Sequence, residues 1–155
     1  MPQFYTCQNA VLDRFEQTQR KLGYSAQNMA EHNFWREALR AKVRHLLGID
    51  KFMPAPLNAR VTDVVQCHGY RRERVEINTE RGVTMPLYVL IPDGIKSAPA
   101  VIAAHGHDSG GKLPVAGVSD DPDVAARIRN YHYNYGEEAA RQGYVVFCPD
   151  ARGFG

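Results

Sequence analysis

The segment His105–Lys112, which reads HGHDSGGK, follows directly on the apolar run Ala98–Ala104. Histidine, aspartate and serine are side chains that carry acid, base or nucleophilic chemistry, and glycine lets backbone N–H groups approach a ligand closely. Such N–H groups stabilise the negative charge that develops on an oxygen atom during acyl transfer. The composition of this loop therefore suits the binding of an oxyanion. Lys112 could attract an anionic substrate, but a solvated loop lysine is the expected case.

Two histidines one residue apart, His105 and His107, also suggest a divalent metal site with Asp108. The familiar H-x-H-x-D-H pattern would need its aspartate where Ser109 stands, and a further histidine that the chain does not have there. We therefore expect no metal and no other cofactor, and a metal-dependent hydrolase stays an alternative. The His105 ring is expected to hydrogen-bond nearby backbone. The His107 side chain could line a pocket or face water, and the sequence does not choose.

A serine nucleophile in the pattern G-x-S-x-G requires an apolar strand before it and a helix after it. Of the four serines, Ser119 in the stretch GVSDD comes nearest to the pattern. Asp121 replaces the second glycine, no apolar strand precedes the stretch, and Asp121-Pro122 is not expected to open a helix. Ser119 is therefore not expected to be a nucleophile.

The elements that position these residues begin with two amphipathic helices. Helical spacing predicts the first over 9–22, ended by Gly23, and the second from a cap at Ser25 to a terminator at Gly48. An apolar stripe on the second helix is expected to pack into a core: Trp35, Leu39, Val43, Leu46 and Leu47. The segment Met53–Asn58 carries two prolines and is expected to be a connector.

Beyond the connector, apolar residues alternate with period two or form short continuous runs, which is typical of strands. We therefore expect two domains, a helical segment over 1–58 and an incomplete α/β core over 59–155. An antiparallel hairpin is predicted around the turn Glu80-Arg81-Gly82, and a helix is predicted at Tyr135–Arg141. Strands are predicted at 61–67, 75–79, 83–91, 100–104 and 144–148, the last two parallel and buried.

Four stretches in this order resemble the α/β-hydrolase superfamily, in its dienelactone hydrolase and acetyl xylan esterase-like branch: LYVLIPDG, AVIAAHGHDSGGK, EEAARQGYVVFCPD and DARGFG. The resemblance covers Val75–Gly155. It implies an α/β fold that corresponds to the N-terminal part of an α/β-hydrolase sheet, an antiparallel hairpin followed by parallel strands. In this chain two helices precede that sheet.

The resemblance implies that the backbone N–H of His107 is one donor of an oxyanion hole. It implies that neighbouring residues support the site loops: His105, Gly106, Asp108, Asp150, Arg152 and Gly153. The chain departs from the family because the serine nucleophile, the catalytic acid and the catalytic histidine are not found in it. We therefore expect the front part of a serine carboxylic-ester hydrolase, inactive alone, whose substrate is a small-molecule ester.

Composition restricts the partners and the compartment. Nineteen basic and seventeen acidic residues give a net charge of +2 without a basic run, so neither nucleic acid nor a membrane is an expected partner. The start of the chain does not read as a signal peptide, and the expected location is cytoplasmic. In the family's strand order, 100–104 is an apolar sheet edge that could self-associate. An alternative function is a non-catalytic interaction module that a partner chain completes.

Overall fold

The computed structural model describes residues 6–107 and 110–154. The chain forms two compact units, Met1–Phe52 and Met53–Gly155. Within the described part of the chain, no helix has both the length and the apolar character to cross a membrane.

The first unit contains two helices and one turn of 3₁₀ helix: α1 Gln8–Gln17, α2 Met29–Leu47 and the turn Ile49–Lys51. The first helix is shorter than predicted. Its backbone becomes extended at Thr18, whose hydroxyl donates to the carbonyl of Arg14 at 2.6 Å. A threonine hydroxyl that bonds the helix's own backbone competes with continuation of the helix.

Helix α2 begins at Met29 and not near Ser25 as predicted. Its cap is Asn28, whose side chain accepts a hydrogen bond from the N–H of Glu31 at 3.0 Å. The Glu31 carboxylate in turn accepts from the N–H of Gln27 at 2.8 Å. The bond to Asn28 satisfies a backbone donor that the first turn leaves open, and the bond to Glu31 holds the residue before the cap. The predicted terminator is confirmed, since Gly48 adopts a left-handed conformation with φ 65°.

The apolar stripe of α2 does not form a core. No residue of α1 or α2 is buried, and Leu46 is 69% exposed. Trp35 is half-buried because its indole N–H donates to the carbonyl of Leu22 at 3.0 Å and its ring packs edge-on against Tyr24. The prediction that this stripe packs into a core is therefore wrong for the residues that the structure describes.

The second unit contains a five-stranded sheet in the order β1-β2-β3-β5-β4. The pairs β1–β2, β2–β3 and β3–β5 are antiparallel, whereas β4 and β5 pair parallel. This confirms the predicted fold class, the N-terminal part of an α/β-hydrolase sheet. The strands are β1 Arg60–Cys67, β2 Tyr70–Glu80, β3 Val83–Pro92, β4 Ala100–Ile102 and β5 Val145–Pro149.

The segment Met53–Asn58, predicted as the end of the helical domain, belongs to the unit that contains the sheet. The carbonyl of Leu57 accepts a hydrogen bond from the N–H of Asn78 at 2.7 Å, and the carbonyl of Met53 accepts one from Arg81 at 2.8 Å. The segment thus runs along the end of the β2–β3 hairpin.

Three helices connect β4 to β5: α3 Lys112–Val115, α4 Pro122–Tyr131 and α5 Tyr135–Arg141. Helix α5 has the predicted bounds. Helix α4 begins at Asp121-Pro122, so the prediction that this pair does not open a helix is wrong. The Asp121 carboxylate accepts from the N–H groups of Asp123 and Val124. Proline, which has no N–H, fits the first helical position because an N–H there would have no acceptor within the helix.

The predicted sheet edge is confirmed, since β5 is the one strand that pairs with β4 among residues 6–107 and 110–154. The strand ends at Ile102, before the predicted end at Ala104, and Ile102 is 75% exposed. The prediction that this strand is buried is therefore wrong for β4 in the described part of the chain. Buried residues instead gather around the sheet centre: Tyr70, Leu90, Val115, Ala140, Val146 and Cys148.

Burial has a chemical consequence for Cys148, because desolvation of the thiolate raises the pKa of this thiol to about 12. Only the thiolate reacts with alkylating reagents. At pH 8 iodoacetamide is therefore expected to modify the exposed Cys7 and to leave Cys148 unmodified in the folded chain. Mass spectrometry of the peptides checks this, with alkylation in urea as the control. Equal modification of both cysteines without urea would contradict the burial.

Candidate active site

Two loops follow the parallel strands at one edge of the sheet. We call residues 103–107, 110 and 111 the β4 loop and residues 150–154 the β5 loop. Ligands of open α/β sheets bind at the carboxyl ends of the strands, and both loops lie at such ends. Asp108, predicted as a supporting residue, lies outside the described residues, and so does Ser109.

The His105 ring connects the two loops. Its Nε2 accepts a hydrogen bond from the backbone N–H of Ala151 at 2.9 Å, and its Nδ1 lies 2.5 Å from the carbonyl oxygen of Gly106. A ring nitrogen that accepts a hydrogen bond has no proton, so the proton is on Nδ1, which donates to Gly106. The side chain is 4% exposed and packs on the ring of Phe154. The ring is thus a neutral bridge between two backbones.

His107 is exposed. Among residues 6–107 and 110–154, its N–H has no hydrogen-bond acceptor, and the same holds for the N–H groups of His105 and Gly106 before it. A backbone donor that the fold does not use is available to an oxygen atom of a ligand. The sequence does not decide whether the His107 side chain lines a pocket or faces water. In the structure this residue is exposed to water.

A buried ion pair links the start of α3 to the β5 loop. The Asp150 carboxylate accepts from the backbone N–H of Lys112 at 2.9 Å and pairs with the Lys112 ammonium. The two side chains are only 2% and 8% exposed. The prediction that Lys112 is solvated is therefore wrong, and its charge is neutralised inside the protein. A buried charge is tolerated in a protein when a partner of opposite charge accompanies it.

Gly111 makes this ion pair sterically possible. Its φ is +51°, and a Cβ atom built there would lie 2.6 Å from Oδ1 of Asp150. Gly111→Ala is therefore expected to lower the free energy of unfolding by about 2 kcal/mol or more, as backbone strain and a displaced carboxylate add. Urea unfolding followed by circular dichroism measures the loss.

The matched control for Gly111→Ala is Gly94→Ala. Gly94 has a positive φ of 70°, but nothing lies within 4 Å of the added Cβ. Gly94→Ala therefore introduces the backbone strain without a contact between the added Cβ and a carboxylate. Equal losses in the two variants would show that the Asp150 contact at Gly111 contributes nothing.

The β5 loop is also tied to the hairpin. The Arg152 guanidinium forms an ion pair with the Glu80 carboxylate at the end of β2, and Gly153 turns the loop with φ 89°. A cleft of about 370 Å³ lies between this loop and the start of β3. Sequence reasoning missed the cleft because the two segments that line it, the start of β3 and the β5 loop, are far apart along the chain. Its lining includes Thr84, Met85, Pro86, Arg152 and Phe154.

Tyr135 supports the β4 loop from α5, a role that sequence reasoning missed. Its hydroxyl donates to the carbonyl of Ala104 at 2.5 Å. Burial, and to a smaller extent Cys148 and Tyr133, raise the pKa of this phenol, so it keeps the proton that it donates. The signal available in the sequence was the cluster of tyrosines just before α5.

The sequence analysis also considered a serine nucleophile and a metal site. Ser119 is exposed and follows helix α3, so no strand-to-helix turn presents it. In the described part of the chain, no three histidine, cysteine, aspartate or glutamate side chains come together in a way that could hold a metal ion.

The chain matches a family model described as the Abhydrolase family over residues 3–155. It is similar to a crystal structure of a candidate acetyl xylan esterase from Bacteroides fragilis, with a TM-score of 0.74 and 24% identity, over 99% of this chain and 39% of that one. It is also similar to a methylesterase, with a TM-score of 0.59 and 19% identity, over 84% of this chain and 26% of that one. The chain thus spans less than half the length of these solved structures. No curated protein matches the sequence.

Proposed function

We propose that this chain, which belongs to the Abhydrolase family, is part of a carboxylic-ester hydrolase and supplies one donor of its oxyanion hole. The observation that carries the proposal is the backbone N–H of His107. His107 is exposed, its N–H shares with those of His105 and Gly106 the lack of an acceptor in the described part of the chain, and the resemblance to the family selects it among the three. Family membership supports a hydrolase, and the esterase activity named for two proteins of the same fold suggests an ester substrate.

In the proposed reaction a serine oxygen adds to the ester carbonyl while a histidine takes the serine proton. The carbonyl oxygen becomes an oxyanion, and the His107 N–H donates one of the hydrogen bonds that stabilise it. The C–O bond to the alcohol then breaks and the alcohol leaves with the proton. Water hydrolyses the acyl-enzyme in the same way. We propose that the serine, the histidine and the acid belong to residues beyond this chain.

Rigid support of the donor is what makes this proposal physically reasonable. An oxyanion hole is effective because its donors already point to the developing charge and need no reorganisation during the reaction. Three contacts hold the backbone near this donor and support the proposal: the His105 ring, the Tyr135 hydroxyl, and the buried Asp150 carboxylate at Lys112 just after the loop. A Cβ atom built on Gly106 would meet nothing within 4 Å.

A first experiment tests whether this chain alone lacks the nucleophile of the reaction. The 155-residue chain alone is expected to show no hydrolysis of p-nitrophenyl acetate above the buffer rate and no serine labelled by a fluorophosphonate. The reason is that an oxyanion donor has nothing to stabilise without an attacking nucleophile. A serine esterase assayed in parallel is the control. Turnover that the fluorophosphonate abolishes would contradict the proposal.

The second candidate function, a non-catalytic interaction module, is favoured by the open edge of the sheet at β4. Ile102 is 75% exposed there, and an unpaired edge strand accepts a further strand from another chain. Light scattering detects such a complex, and the ester assay separates the two candidates. A defined complex without hydrolysis favours the module, whereas hydrolysis that appears on complex formation favours the enzyme.

A further inference from the structure

The bridge that His105 makes between the β4 and β5 loops depends on one proton. Its Nε2 accepts from the Ala151 N–H at 2.9 Å only while that nitrogen keeps its lone pair. A proton on Nε2 would set two N–H donors against each other. The bridge therefore exists in the neutral ring and is lost in the imidazolium.

The charges around the ring indicate where the protonated ring would turn. Oδ1 of Asp150 lies 3.8 Å from Nε2, too far for a hydrogen bond but near enough to attract a new N–H. On its other side Asp150 already pairs with the Lys112 ammonium, which opposes a second positive charge. Among the described residues, the other aromatic groups near the ring are Phe154 and, in the small cavity that His105 lines, the phenols of Tyr133 and Tyr135. Burial raises the pKa of the Tyr135 phenol, which favours its neutral form. Protonation thus draws Nε2 toward Asp150 and away from Ala151.

We propose that His105 is a positioning residue: its neutral ring holds the two site loops together and so orients the His107 N–H, and protonation of Nε2 releases the β5 loop. The step from the loops to the His107 N–H rests on the proposed function. The link between His105 and Ala151 does not rest on it and can be measured in the chain without any activity.

The test is the exchange of the Ala151 amide proton with water, measured by NMR and normalised to an unstructured peptide at each pH. Histidine ordinarily changes its charge between about pH 5 and pH 8. Loss of one hydrogen bond is expected to lower the protection of this amide about fivefold from pH 8 to pH 5. The Ala103 amide, which donates to the carbonyl of Phe147 at 2.8 Å, is the internal control and is expected to keep its protection.

Two variants separate the bridge from simple packing. His105→Gln keeps an oxygen that can accept from Ala151 but cannot gain a proton in this range, so protection is expected to become independent of pH. His105→Phe keeps the ring that packs on Phe154 and removes both hydrogen bonds, so protection is expected to be low at every pH. The ¹⁵N spectrum of the wild-type imidazole is expected to show the proton on Nδ1 at pH 8.

Three results would overturn the proposal: wild-type protection that does not change with pH, a proton on Nε2 at pH 8, or equal protection in the Gln and Phe variants. Each is obtained without an ester substrate. A pH-dependent bridge in a protein that shows no ester hydrolysis would therefore support the positioning role while contradicting the proposed function.

Discussion

Replacing His107 with proline is expected to lower kcat for ester hydrolysis by about 10²- to 10³-fold in the enzyme that contains this chain, because proline has no backbone N–H. The donor acts on charge that appears in the transition state. KM is therefore expected to change much less than kcat, since the ground-state carbonyl gains little from the same hydrogen bond.

The matched control is His107→Ala, which keeps the N–H and removes the imidazole. Its kcat is expected to stay near the wild-type value because the His107 side chain is exposed. Thermal melting and the Ala151 amide protection show whether either substitution disturbs the loops. If proline disturbs them, an ester bond in place of the amide at position 107 removes the hydrogen with a smaller steric change. Equal kcat values for the proline and alanine variants in intact loops would contradict the role of the N–H.

Asp150→Ala is expected to lower the free energy of unfolding by about 3–5 kcal/mol. It leaves the Lys112 ammonium buried without a counter-charge, and it also removes the acceptor of the Lys112 backbone N–H. Small domains have total stabilities of about 5–15 kcal/mol, so the loss is a large fraction of the whole. Urea unfolding measures it.

The same substitution at an exposed ion pair is the control for Asp150→Ala. Asp50 pairs with Arg44, and both side chains are more than half exposed. Asp50→Ala is expected to change the stability by less than about 1 kcal/mol. A double variant, Lys112→Met with Asp150→Ala, is expected to recover part of the loss because it removes the unpaired charge. The absence of any difference between Asp150→Ala and Asp50→Ala would contradict a structural role for the buried pair.

The sheet could be predicted from the sequence because its signals are local. The period of two along β2 and β3, the glycine at the turn and the proline after Cys148 mark the hairpin and β5 in the structure, although β2 begins at Tyr70 and not at Val75 as predicted. The resemblance to the α/β-hydrolase superfamily is confirmed by the family match over residues 3–155 and supplied the strand order, which no periodicity contains. Helix α4 was missed although Asp121-Pro122 is a recognisable helix start.

The errors concern contacts that local sequence does not specify. Lys112 follows a glycine-rich stretch and has the pattern of a solvated lysine, but Asp150, 38 residues away, holds it in the interior. The apolar stripe of α2 has a core-like spacing, but spacing states only that a face is apolar and not what covers it. The role of His107 as a donor stays a prediction, and the experiments above address it.

The position of β4 in the sheet also bears on the order of folding. Strands β1, β2 and β3 are consecutive in the chain and pair with their neighbours through short turns, so their contacts close small loops. β4 has no partner until β5, which begins 45 residues after the start of β4, has docked on β3. Closing that long loop costs entropy before any pairing compensates for it. The hairpins are thus expected to form early, and the β4 loop is expected to acquire its geometry only in the last step of folding.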